Sequence, residues 1–220
     1  LKFILFAIGI SFFISHPSSA FECNVGQRRT VIPIDILSLN GESRICPNAA
    51  PEAFESPLVV AVASGGGYLR DMPTILEQLR QAVVTSKEKS GVTPLAVVTK
   101  ACLSACVTLL ATLNQWAKEN LLTLVVDPSL SIGIHGAYST DTGLYSDDGT
   151  IIYIAQLAKA GVSRSWLLQH EELFESNDIH PFSVNDAALA GSNIFDQAIK
   201  ADTIEAFQSF LKSLKQTQLP

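Results

Sequence analysis

The run Pro57-Leu58-Val59-Val60-Ala61-Val62-Ala63 is apolar without interruption and ends in Ser64-Gly65-Gly66-Gly67. A strand with one wet face alternates polar and apolar residues, whereas a continuous run belongs to a strand covered on both faces. After the glycines the period changes. Leu69, Met72, Ile75, Leu76, Leu79 and Val83 recur every three or four residues, which predicts one buried face of a helix. Pro73 is tolerated in the first turn of such a helix. The pattern then returns with a buried strand from Leu95 to Thr99, a very apolar helix from Ser104 to Lys118, and a third strand from Leu121 to Val126. This alternation calls for parallel strands joined by right-handed crossovers, hence an α/β domain with helices covering the sheet.

The remaining segments fit around that frame. Ser131 to His135 reads as a further short strand, and Thr150 to Ala160 and Ser163 to Phe174 as helices separated by Gly161. Asp202 is placed to cap a last amphipathic helix reaching about Lys215. Upstream, Thr30 to Leu39 is β-branched and apolar with Pro33 inside it, which predicts a short edge strand. Pro47, Pro51 and Pro57 mark the stretch before the domain as a connection without regular structure. A chain of 220 residues is the length of one domain, or of one domain plus an appendage.

Phe3 to Ile14 is a nearly unbroken apolar run after Lys2 and before His16-Pro17-Ser18-Ser19-Ala20. It reads as a secretory signal peptide over residues 1–20, cleaved after Ala20. At about twelve residues it is shorter than the ~20 of a spanning helix, so no membrane contact is expected after cleavage. The expected location is periplasmic or secreted. The 21 Asp+Glu outnumber the 15 Lys+Arg, for a net charge of −6, which disfavours nucleic acid as a partner. In an exported chain four cysteines suggest disulfides, with three connectivities open. The local pairings are Cys23 with Cys46, in an amino-terminal extension over residues 21–56, and Cys102 with Cys106. The second pair requires a break at the helix start, because i, i+4 positions in a regular helix lie near the long end of the disulfide range.

Three places could carry chemistry. The triple glycine has neither a G-x-x-x-x-G-K-[ST] nor a G-x-G-x-x-G context, so nucleotide binding is disfavoured and a tight strand-to-helix turn is the simpler account. Ser104, just ahead of a helix, has two readings. It is a cap, or it is a nucleophile beside the free N–H of Ala105 and the positive end of the helix dipole. Backbone N–H groups of Gly66 and Gly67 could then supply further oxyanion donors. His135 is followed by Gly136-Ala137, so little bulk shields its ring; as a general base it needs a partner for its other nitrogen. Asp178 is the best acid candidate, with Asp127, Asp141, Asp147, Asp148 and Asp186 remaining open. His170, beside Glu171 and Glu172, reads as a solvated surface residue. Beyond the signal segment the histidines are His135, His170 and His180, with no H-E-x-x-H or paired spacing, so no metal site is expected. Cys102 and Cys106 are spaced C-x-x-x-C, unlike the C-x-x-C of thiol oxidoreductases.

Ser64-Gly65-Gly66-Gly67 leading into a helix, Ala101-Cys102-Leu103-Ser104-Ala105 opening the next, and Ile132-Gly133-Ile134-His135 closing a strand together resemble the Clp protease proteolytic subunit and the wider crotonase-like superfamily. The Cys-x-Ser-Ala-Cys context is similar to that of a group of exported bacterial proteins with this fold. The resemblance covers roughly residues 57 to 200. It implies a ClpP/crotonase-like domain, assigned to residues 57–220, of repeated β-β-α units with a mostly parallel sheet. It also implies Ser104 as nucleophile, His135 as base, Asp178 as the orienting acid, and N–H groups of Gly66, Gly67 and Ala105 as oxyanion donors. The expected activity is that of an exported serine hydrolase, a peptidase on peptide or protein substrates, without a cofactor and with homo-oligomers common in the fold. The alternative is a catalytically inactive binding protein on the same scaffold. The sequence departs from the family where Gly65 replaces the loop proline and where no glycine precedes Ser104 in the usual place.

Overall fold

The structure is a computed structural model that describes residues 24–26, 29–35, 54–139, 141–200 and 203–216. The segment read as a signal peptide, Cys23, Cys46 and Asp202 lie outside the described residues. In chain order the strands are β1 Asn24–Gly26, β2 Arg29–Ile34, β3 Leu58–Ser64, β4 Leu95–Leu103, β5 Thr123–Val126, β6 Ser131–Ile134, β7 His180–Ser183 and β8 Ile199–Lys200. The helices are α1 Met72–Ser90, α2 Ala105–Lys118, α3 Asp147–Lys159, α4 Arg164–Gln169 and α5 Ile204–Gln216. The strands form one mixed sheet ordered β1-β2-β3-β4-β5-β8, with β6 paired to β4 and β7 to β6. Of the pairings between these strands, β1 with β2 and β6 with β7 run antiparallel and the others run parallel.

Both faces of the central strands are covered, which is why their sequences are continuously apolar. Val60, Val62, Ala96, Val98, Leu124 and Val126 join the main core with Met72, Ile75 and Leu79 of α1 and Leu109, Leu110 and Leu113 of α2. The intervening Val59, Val97 and Val125 point to the other face, where Phe207 of α5 packs on them.

Strand β4 runs four residues beyond the expected Thr99, and its two halves have different neighbours. Leu95 to Val98 pair with β5, whereas Ala101 to Leu103 pair with β6. Between them Lys100 takes a φ of 61°, and the register against β3 shifts between Val62 and Ser64, so β4 carries a bulge. The bulge re-aims the strand end, and with it Ser104, toward β6 and His135.

Three local expectations are corrected. Strand β2 is internal, lying between β1 and β3, and Pro33 sits in it in register with Ala61 of β3. The second of the two late helices is only the six residues of α4, followed by a 3-10 turn over Glu171–Phe174. His170 at their junction is half-buried: its ring stacks on Trp166 at 4.6 Å, and Nδ1 lies 2.9 Å from the Trp166 carbonyl oxygen.

Candidate active site

Ser104 sits between the end of β4 and the first residue of α2, the position of a helix cap, yet its side chain makes no cap hydrogen bond. Its backbone is at φ 55°, ψ −126°, a left-handed conformation that costs a non-glycine residue about 1–3 kcal/mol. The surroundings hold it there. Its N–H donates to the Gly133 carbonyl of β6 at 2.7 Å, and its own carbonyl accepts from the Val107 N–H and the Tyr153 hydroxyl, both at 2.8 Å. Tyr153 is fully buried in α3, and burial pushes its phenol far up, so it remains a neutral donor. Cys102 and Cys106 are joined in a disulfide that brackets the turn. The expected break at the helix start is real: Cys102 belongs to the strand and Cys106 to the helix.

The glycine run closes over this turn. The buried Ser64 hydroxyl donates within reach of both Asp35 Oδ1 and the Gly66 carbonyl oxygen, each at 3.0 Å, and accepts from the Gly66 N–H at 3.2 Å. Gly66 has a φ of 117°, and a Cβ there would lie 3.0 Å from Ser104 Cβ and 3.6 Å from Ser104 Oγ. Glycine is required here for close approach as well as for conformation. Ser64 Oγ takes the Gly66 N–H, whereas Gly67 lines the pocket and Ala105 opens the first turn of α2, where backbone N–H groups have no intrahelical partner.

His135 follows β6 directly and is 4% exposed. Its Nδ1 lies 2.5 Å from the Gly136 carbonyl oxygen. A carbonyl oxygen only accepts, so Nδ1 carries the hydrogen and Nε2 keeps its lone pair. Burial holds the ring below the ordinary histidine range; the Gly136 carbonyl opposes that shift and nearby His180 adds to it. Gly136 cannot carry a side chain, since a Cβ would lie 2.4 Å from the Phe174 carbonyl oxygen. Its N–H donates to the Ser176 carbonyl at 2.7 Å, which fixes the loop that presents the ring.

Ser104, His135, Gly65 and Gly67 line one pocket of about 360 Å³, together with Tyr68, Leu69, Tyr138, Tyr153, Asn177 and Ile179. The histidine ring stacks on Tyr138 with centroids 5.8 Å apart. No hydrogen bond joins the Ser104 hydroxyl to the ring among the described residues, a contact that commonly tightens only around substrate. Asp178 is exposed; its N–H donates to Ser176 Oγ at 3.2 Å, and no carboxylate among the described residues lies within ion-pair distance of His135. The other candidates have separate places: Asp127 and Asp186 close local turns through Oδ1, Asp147 and Asp148 open α3, and Asp141 is exposed in the loop before it.

Sequence reasoning missed Tyr153 and the orienting carbonyl of Gly136. Tyr153 lies within the helix expected over Thr150 to Ala160 with nothing local to single it out, and a backbone carbonyl leaves no residue-type signal. The glycine at 136 was the available clue.

No family model and no curated protein matches the chain. Among solved structures it is similar to an enoyl-CoA hydratase from Mycobacterium avium subsp. paratuberculosis, at 11% identity over 92% of this chain and 76% of that one, with a TM-score of 0.48. An enoyl-CoA hydratase from Mycobacterium smegmatis is similar at 12% identity over 90% and 76%, with a TM-score of 0.46. A ClpP1 mutant from Listeria monocytogenes is similar at 14% identity over 80% and 92%, with a TM-score of 0.41. The likeness is one of fold.

Proposed function

We propose that this chain is a serine hydrolase acting on acyl compounds, most simply a peptidase, with Ser104 as nucleophile and His135 as general base. One observation carries the reading: a serine at a cap position is held in a left-handed backbone, makes no cap bond, and shares a pocket with a histidine whose Nε2 is free to accept. Strain of this kind at a strand-to-helix turn is a feature of nucleophile sites.

In this mechanism Ser104 Oγ attacks the substrate carbonyl carbon while its proton passes to His135 Nε2. The oxyanion is received by the N–H groups of Gly67 and Ala105, backed by the amino-terminal dipole of α2. The proton then goes to the leaving amine, and water activated by the same Nε2 hydrolyses the acyl-enzyme. The carbonyl of Gly136 serves where a triad would use a carboxylate, so the working unit is a Ser104–His135 pair and Asp178 has no part in it.

Export to an oxidising compartment belongs to this proposal. The Cys102–Cys106 disulfide supports it, together with the apolar segment at residues 1–20. No helix among the described residues is long and apolar enough to cross a membrane. Self-assembly is likewise proposed, in keeping with the fold.

The test is labelling of the oxidised protein by a fluorophosphonate. Wild type should label covalently, and Ser104→Ala and His135→Ala should not. A folded wild type that does not label points to a binding protein on this scaffold; label that persists in Ser104→Ala removes Ser104 from the mechanism.

A further inference from the structure

Ser104 has two conformations open to it in principle, and the local capping preference of a serine ahead of a helix favours the inactive one. A serine ahead of a helix gains by turning its backbone to the extended region and accepting a hydrogen bond from the second or third N–H of the helix. Here those are the N–H groups of Cys106 and Val107. The observed state forgoes that bond and keeps φ at 55°. Something must oppose the relaxation, and the hydrogen bonds to Gly133, Val107 and Tyr153 share the task with one covalent link. The disulfide closes a ring of five residues, Cys102 to Cys106, with Ser104 at its centre. Cys102 is anchored in β4 opposite Ile132 of β6, and Cys106 lies inside the first turn of α2. Both are fully buried in the main core, so neither end can drift.

We infer that Cys102 and Cys106 are positioning residues, whose disulfide keeps Ser104 out of the capping conformation and so keeps its hydroxyl available in the pocket. This rests on the hydrolase reading given above, and it makes formation of the bond a condition of activity. The two thiols lose two electrons and two protons to an external disulfide oxidant of the exporting compartment, which leaves as the dithiol. Once buried, the bond is protected from reductants and acts as a permanent clamp.

The experiment compares oxidised wild type with the double variant Cys102→Ala/Cys106→Ala, assayed well below the unfolding temperature of each. The first-order rate of fluorophosphonate labelling at saturation should fall about tenfold or more, in line with the strain on Ser104, while the half-saturating probe concentration changes little. A disulfide that merely stabilises the fold would lower Tm and leave that rate unchanged, and this result overturns the inference. Should the double variant fail to fold, wild type refolded with a dithiol reductant takes its place, measured before and after reoxidation; recovery of the rate on reoxidation is expected, and equal rates overturn the proposal. A Cys23→Ser/Cys46→Ser variant should keep the wild-type rate, which assigns the effect to the central pair; loss of the rate there, with the central pair intact and the fold retained, assigns the control elsewhere. The backbone φ of Ser104, read from three-bond couplings in selectively labelled protein, provides a readout independent of catalysis. It should be positive in wild type and negative without the disulfide. An unchanged positive φ overturns the inference even if no form of the protein labels, an outcome that would separately remove the hydrolase reading.

Discussion

Gly66 lies so close to Ser104 that a Cβ on the glycine would stand 3.0 Å from the serine Cβ and 3.3 Å from the Leu103 carbonyl oxygen. The glycine run therefore serves the nucleophile turn directly. Gly66→Ala combines that contact with a φ of 117° and should destabilise the protein by about 1–3 kcal/mol. Displacement of Ser104 should slow fluorophosphonate labelling by about tenfold or more. Gly65→Ala is the control, since nothing lies within 4 Å of its Cβ position. Thermal unfolding and labelling rates check both; equal behaviour of the two variants would contradict the contact.

Replacing Ser104 by glycine separates strain from chemistry. Glycine adopts φ 55°, ψ −126° without penalty, so relief of about 1–3 kcal/mol offsets the roughly 0.5–1 kcal/mol that extra freedom in the unfolded chain costs. Ser104→Gly should unfold at the wild-type temperature or above it while losing all covalent labelling. A clear drop in Tm would mean that the serine backbone is not strained.

The lowered pKa of His135 sets the sign of two pH dependences. As a base the ring works when neutral, so labelling should hold down through the ordinary histidine pKa of about 6.5 and fall only at lower pH. For stability, a depressed folded pKa means that the unfolded chain takes up the proton first. The contribution of His135 is therefore full above about pH 6.5 and is lost as pH falls through its lowered folded value. Imidazole NMR titration and labelling against pH check both. An acid limb above 6.5 would contradict the burial-driven shift.

Asp178→Asn tests what orients the histidine. With Nδ1 directed at the Gly136 carbonyl and Asp178 exposed, this variant should label within about twofold of wild type. A loss on the order of 10⁴, the cost of disabling the acid of a serine triad, would restore Asp178 to the site.

Tyr153→Phe removes a fully buried hydroxyl from the Ser104 carbonyl while the Val107 N–H still satisfies that oxygen. The expected cost is about 1 kcal/mol by chemical denaturation, with slower labelling because the turn is held less firmly. Wild-type stability and rate together would show that the bond does not brace the turn.

Much of this protein follows from local patterns. The continuous apolar runs at 58–63 and 95–98 marked strands buried on both faces, and the three-to-four spacing from Leu69 to Val83 marked α1, because burial of each side chain leaves its period in the sequence. The proximity of Cys102, Ser104 and Cys106 and the small residues around His135 were equally visible. Other features depend on long-range partners and leave no such trace. Strand β2 is internal because β1 pairs with it on the side away from β3, and β4 continues past Thr99 because β6 replaces β5 as its neighbour beyond the bulge at Lys100. The sequence by itself determined which residues could be strand, helix, nucleophile and base. Tertiary structure decided that Ser104 is held out of the cap conformation, that Gly66 gives its N–H to Ser64, and that a backbone carbonyl stands where a carboxylate was expected. Periodicity and residue type are local properties, whereas backbone strain and hydrogen-bond partnership are set by elements far apart in the chain.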